Sequence, residues 1–275
     1  MDFNKSIFEN RRNAKNPFLV SHRGVNGANI PCNTLASYKI AADMGADVVE
    51  IDVTRSKDGE YFCFHPGTEP VFMKTGRFIP EMTAEEVKRT PLLNLDEVPT
   101  HYRAPLLRET FALLKDRVYI NVDKYWTDIE GITRIIRECG MEKQVIVKTS
   151  VEPQYIDEIE RVAPDLMYMG IAWHRDNVSD ALLKRNINYI GIEALFDRPD
   201  DEIASREYID SMHDKGLLVW ANSIIYNEKD VISAGFTDDS SLFGGDGAGW
   251  LRLAGMGFDF IQTDWLMSVQ QALKQ

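Results

Sequence analysis

A single (β/α)8 TIM-type barrel, with a β-hairpin and a small insertion after its second strand, is the fold this sequence predicts. Three observations point there: nine short β-rich runs, helical-period segments between most of them, and one link too short for a parallel crossover. The runs are 18–21, 48–53, 61–64, 118–122, 145–148, 167–171, 189–192, 217–221 and 258–262. Between them, Asn33 and Thr34 cap a stretch ending before Gly45, and Thr127 or Asp128 opens one with Ile129, Ile132, Ile135 and Ile136 that stops at Gly140. Strand and helix in alternation imply a parallel sheet. Only residues 54–60 separate the second and third runs, and a parallel crossover needs about a dozen, so these two form an antiparallel hairpin. Asp58-Gly59 suits a two-residue type I′ turn, which pairs Val53 with Phe64 and sets His65 opposite Asp52. Eight parallel strands remain, and 275 residues accommodate one barrel of about 250.

Residues 1–275 therefore read as one domain, with 66–105 as an insertion within it, punctuated by prolines, briefly helical at 84–88 and expected to cap one side of the mouth. Gly244-Gly245-Asp246-Gly247-Ala248-Gly249 reads as a plain loop, since it neither follows a strand nor opens a helix as a nucleotide-binding loop does.

Composition narrows the function classes. With 44% apolar and 27% charged residues the chain can bury a large core, which excludes disorder. A net charge of −12 repels nucleic-acid phosphates, and Arg11, Arg12 and Lys15 read as a solvated helix face, so no nucleic-acid partner is expected. Cys32, Cys63 and Cys139 are odd in number and lack C-x-x-C spacing. A reducing compartment, hence a cytoplasmic protein, is the simpler reading; a secreted or periplasmic one is left open by a trimmed signal. No apolar run approaches about 18 residues, so no stable membrane insertion is expected. Oligomeric state is not legible.

Active sites of such barrels lie at the C-terminal ends of the strands. The polar residues there are His22, Arg23, Glu50, Asp52, Asp123, Lys124, Lys148, His174, Glu193, Asn222 and Asp264. Glu50 and Asp52, two apart on a strand, share a face and point into the mouth, while Val49, Ile51 and Val53 face the helices. Paired buried carboxylates repel; a cation relieves them, with Asp123 as a third oxygen ligand, and a hard oxygen set suits Mg2+ or Ca2+ over zinc. The alternative is a solvated or lysine-paired acidic cluster. His22 and His65 reach the same mouth and suit proton transfer near neutral pH, or else are structural partners of the acids. Arg23, Lys124 and Lys148 suit an anionic small-molecule substrate, although the lysines could merely neutralise the acids. Glu193 and Trp220 are further candidates for substrate contact, Trp173 and Trp220 as pocket walls or rim filler. His101 and His213 read as surface or packing residues.

His22-Arg23-Gly24, Pro31-Cys32-Asn33-Thr34, the run from Gly45-Ala46-Asp47 through Glu50-Ile51-Asp52-Val53, Lys57-Asp58-Gly59 and His65 stand in an order that resembles the glycerophosphodiester phosphodiesterases. Asn121-Val122-Asp123-Lys124, Trp220-Ala221-Asn222 and 257–264 extend the resemblance over nearly the whole chain. It implies a barrel enzyme that hydrolyses glycerophosphodiesters to glycerol 3-phosphate and an alcohol, with one divalent cation on Glu50, Asp52 and Asp123 and with His22 and His65 as acid and base. Cys32 and Asp123 stand where the family usually has Glu, and Pro66 where it usually has Asp. Three rivals are a glycosidase using Glu50 and Glu193, a non-catalytic binder of phosphorylated ligands, and a phospholipase D-like enzyme on lysophospholipids or sphingolipids. The last needs an apolar approach to the mouth that the sequence does not locate.

Overall fold

Alternation of side chains between the two faces of each strand divides the interior of the protein into two regions in a computed structural model, which describes residues 1–227, 229–244 and 247–274. Among the described residues nine strands form: β1 (Phe18–Ser21), β2 (Val48–Arg55), β3 (Tyr61–Cys63), β4 (Tyr119–Asp123), β5 (Val145–Ser150), β6 (Met167–Trp173), β7 (Tyr189–Leu195), β8 (Leu218–Asn222) and β9 (Phe260–Thr263). Each overlaps a predicted run. The order β1-β9-β8-β7-β6-β5-β4-β2-β3, with β1 also pairing β2, closes every strand but β3 into an eight-stranded parallel barrel.

One face of each strand packs on the helices. Val49, Ile51 and Val53 join Leu107, Phe111, Ile132 and Ile136 in that outer core. The other face fills the barrel. Phe18, Val48, Tyr119, Ile146, Leu218 and Phe260, near the strand starts, form an apolar plug sealed by Ile7 of the helix Ile7–Asn13. Asp259 ties that helix down, accepting from Arg11 Nε at 3.1 Å and from His213 Nε2 at 2.8 Å. Polar side chains are thereby left to the strand ends.

The hairpin differs from expectation by one residue. Val53 pairs with Cys63 and Arg55 with Tyr61, not Val53 with Phe64. A type I′ turn requires positive φ at both central residues. Here Gly59 has φ +97° but Asp58 is absent from the left-handed region, and Ser56 N–H donates to Glu60 C=O at 2.8 Å. The loop is therefore three residues long, with Gly59 in the left-handed position of a bulge. Phe64 rather than His65 faces Asp52, its N–H bonding the Asp52 carbonyl at 3.0 Å.

The insertion holds short helices Glu69–Phe72 and Ala84–Arg89 over its own cluster of Phe62, Phe64, Ile79, Met82 and Val87. The glycine-rich stretch also departs from the plain-loop reading: Gly244 ends the helix Asp238–Phe243 and Gly247 opens the helix Ala248–Met256. Gly245 and Asp246 lie outside the described residues.

Within β7 the register with β6 shifts between Tyr168 and Met169, and Gly191 takes φ +154°. A Cβ there would sit 1.9 Å from the Leu218 carbonyl oxygen on the neighbouring strand. Gly191→Ala is therefore expected to destabilise the barrel by at least about 2 kcal/mol in urea titration, through strain and overpacking together.

Candidate active site

β1 leaves the barrel through His22-Arg23-Gly24, with Arg23 and Gly24 both at positive φ, 56° and 76°. Only glycine fits the second position, because a Cβ would meet the Ser37 backbone at 2.6 Å. The Arg23 carbonyl accepts from Asn33 N–H at 3.0 Å and Ser37 Oγ at 3.2 Å, which laces this turn to the 31–34 segment and the helix Leu35–Asp43. The turn aims Arg23 at the acids. Its N–H donates to Glu50 Oε2 at 2.9 Å, and its Nε lies 2.9 Å from Asp52 Oδ2 as an ion pair.

Glu50 and Asp52 are both buried and pair in register with Asn121 and Asp123 on β4. One carboxylate oxygen each from Glu50, Asp52 and Asp123 lies within 4.8 Å of the others. Burial, then the Asp52 charge, pushes the Glu50 carboxyl up to about 8. Burial also raises Asp123, but Lys124, whose Nζ donates to Asp123 Oδ2 at 2.8 Å, outweighs it and the net shift is downward. Asp52 Oδ1 is buried without a hydrogen bond. An orphaned carboxylate oxygen, an acid that keeps its proton at neutral pH and a hard oxygen set together fit a divalent cation.

The two imidazoles line the same cavity and differ in environment. His22 Nδ1 lies 2.9 Å from Asp264 Oδ1, and His65 Nδ1 lies 3.0 Å from the Pro66 carbonyl. Both oxygens accept, so each Nδ1 carries the hydrogen and each Nε2 is left for the cavity. Burial pulls His22 down, yet Asp264 and Glu50 outweigh it and its pKa is raised. Burial dominates at His65, which is lowered despite Asp52, whose Oδ1 is 3.9 Å from Nε2.

The cavity measures about 600 Å³. On its far side Lys148 Nζ donates to Glu193 Oε2 at 2.7 Å, and Asn222 Nδ2 donates to Glu193 Oε1 at 2.6 Å. Lys148 thus pairs directly with Glu193 while its charge also lowers Asp123, and Glu193 is occupied on both oxygens. Trp220 is fully buried beneath the pocket instead of lining it, its ring centroid 3.4 Å from Lys148 Nζ. Its large side chain fits the inward position one layer below Asn222, where it stacks on Phe260. His174 stands apart, bonded to Asp201 at 2.8 Å, and the His101 ring lies tilted against Tyr102 in the insertion. From the insertion, as bounded at 66–105, no residue lines the cavity; the hairpin's His65 does.

Several participants escape sequence reasoning. Asn33, read as a helix cap, is at φ +54° and donates from Nδ2 to Asp52 Oδ2 at 2.8 Å, itself held by Tyr38 Oη at 2.7 Å. Its position directly before the true N-cap, Thr34, was the available signal. Trp126, Ile171, Leu195 and 224–226 line the pocket without any periodic or motif signature. Lys124 Nζ sits 5.1 Å over the Trp126 ring.

Residues 22–221 match the model of the glycerophosphoryl diester phosphodiesterase family. A glycerophosphodiester phosphodiesterase from Caldanaerobacter subterraneus subsp. tengcongensis is 30% identical over 156 residues, 54% of this chain and 63% of the relative, just under two-thirds of its length. A solved glycerophosphoryl diester phosphodiesterase from Parabacteroides distasonis superposes with a TM-score of 0.76 at 19% identity, over 95% of this chain and 87% of that one. An Oleispira antarctica phosphodiesterase solved with its product sn-glycerol-3-phosphate gives 0.69 at 17% identity, over 94% and 98%. The two solved structures share the fold.

Lys148 and Glu193 are almost wholly buried, at 3% and 11% side-chain exposure. Lys148→Met alone strands a buried carboxylate and is expected to cost about 3–5 kcal/mol in urea unfolding, whereas Lys148→Met with Glu193→Gln costs less than the sum of the two single changes.

Proposed function

The chain belongs to the glycerophosphoryl diester phosphodiesterase family, and on that premise we propose that it hydrolyses glycerophosphodiesters to glycerol 3-phosphate and an alcohol in this cavity. The observation that carries the reading is the convergence on one pocket of three carboxylates within 4.8 Å and two imidazoles shifted in opposite directions. Glu50, Asp52 and Asp123 would hold Mg2+ or Ca2+. When bound, such an ion offsets the charge of the phosphodiester and of the clustered acids.

The remaining work falls to the chain's own groups. Arg23 and Lys124 stand beside the acids and take the non-bridging phosphate oxygens. Lys148, fixed by Glu193 and the Trp220 face, holds a third positive charge at the floor; Trp220 acts through it rather than by touching substrate. His65, kept neutral by burial, receives at Nε2 the proton of the attacking hydroxyl, from water or from the glycerol 2-position. His22, whose charged ring is favoured by its hydrogen bond to Asp264, gives its Nε2 proton to the departing alkoxide as the phosphorus–oxygen bond breaks. Asp264 fixes the His22 ring and stabilises its charge.

His22→Ala and His65→Ala, each verified as folded by circular dichroism, are expected to release glycerol 3-phosphate about 100- to 10,000-fold more slowly. Near-normal turnover in either variant would remove that imidazole from the mechanism. Chelation should abolish activity and added Mg2+ or Ca2+ restore it. Calorimetry on the resting protein should show one cation site that Asp52→Asn weakens; an unchanged isotherm would free these acids of the ligand role.

A further inference from the structure

The pocket has two chemically distinct walls. Charged groups arrive from the ends of β1, β2 and β4 and from the Lys148–Glu193 pair between β5 and β7, whereas beyond that pair the ends of β6 and β7 and the segment after β8 contribute mainly apolar bulk, Ile171, Trp173, Leu195, Ile224, Ile225 and Tyr226, with Asn227 beside them. Leu195 and Ile224 are buried at 9% and 5% exposure and pack together, while Trp173, Ile225 and Tyr226 stand open at 42%, 50% and 61%. An apolar track therefore runs from the inside of the catalytic pocket to its outer edge.

We propose that the substrate is a lysophospholipid-type diester whose single acyl or alkyl chain lies along this track. The proposal rests on the phosphodiesterase reading above and specifies its substrate class. A small hydrated alcohol gains nothing from an isoleucine-lined wall, and it would leave the outer aromatic and aliphatic groups in water. A compact apolar group would fill the inner end and leave the outer end bare. A chain attached to glycerol covers both while the phosphate stays with Arg23 and Lys124 on the opposite wall. The net charge of −12 opposes docking on an anionic bilayer, which favours a dispersed lipid as the form taken up. The bond broken is unchanged: the phosphorus–oxygen bond to the headgroup alcohol is hydrolysed, water supplies the new oxygen and the alcohol's proton, and the chain stays on the glycerol phosphate.

The test is a chain-length series of 1-acyl-glycerophosphocholines, acetyl through octanoyl and below micelle formation, with glycerophosphocholine as the unacylated member and choline release as the readout. The value of kcat/KM is expected to rise about threefold to fourfold per methylene until the track is covered. In Ile225→Ser with Tyr226→Ser the ratio of octanoyl to unacylated activity should collapse; should that variant not fold, the wild-type series alone decides. A flat or falling series with glycerophosphocholine still cleaved overturns this inference and leaves the phosphodiesterase reading intact. Failure to cleave any member overturns both. A dimer in sedimentation, dissociated by the double substitution and accompanied by a flat series, would give the track to a second copy of the chain and also overturn it.

Discussion

Mutual repulsion among Glu50, Asp52 and Asp123 is the constraint around which the mouth of the barrel is organised. The parallel register of β2 with β4 forces these side chains together, and neighbouring elements supply what makes that tolerable. Arg23 reaches Asp52 because the chain turns through two left-handed residues at the end of β1. Lys124 reaches Asp123 from a left-handed position at the end of β4. Asn33 donates to the same Asp52 oxygen from a third, which leaves Oδ1 without a hydrogen bond. Three of the left-handed non-glycine residues, Arg23, Asn33 and Lys124, thus stand where charge is aimed.

The same crowding explains how two histidines of ordinary chemistry acquire opposite tendencies. Both are partly withdrawn from water, which disfavours the charged ring. Only His22 has a carboxylate hydrogen-bonded to its ring; His65 bonds a neutral carbonyl. The carboxylate partner raises His22, while burial, with Arg23 and Lys124 beside it, lowers His65.

The sequence made the barrel legible because β-branched runs and helix caps recur at regular spacing, and because one link was too short to cross over. Its acids were legible from period-two spacing on β2. Hairpin register was not, since Asp58-Gly59 serves either a two-residue or a three-residue loop and only the left-handed state of both residues would select the former. Nor was the burial of Trp220, because aromatic residues at strand ends pack inward or outward with equal ease. The apolar wall was invisible for a different reason: Ile171, Leu195 and Ile224 come from three separate elements and share a surface only once the barrel closes.

Segregation of the two walls onto different strand ends has an evolutionary corollary. The two imidazoles and the acids Glu50, Asp52 and Asp123 sit on the first half of the barrel, while the apolar wall hangs mostly from the second half. The segment following β8 can vary at Ile224, Ile225 and Tyr226 without altering a contact of the acids, although Asp238 beyond it holds the backbone of Asp264, the partner of His22. Loops carried on a rigid barrel tolerate such exchange better than the strands they connect.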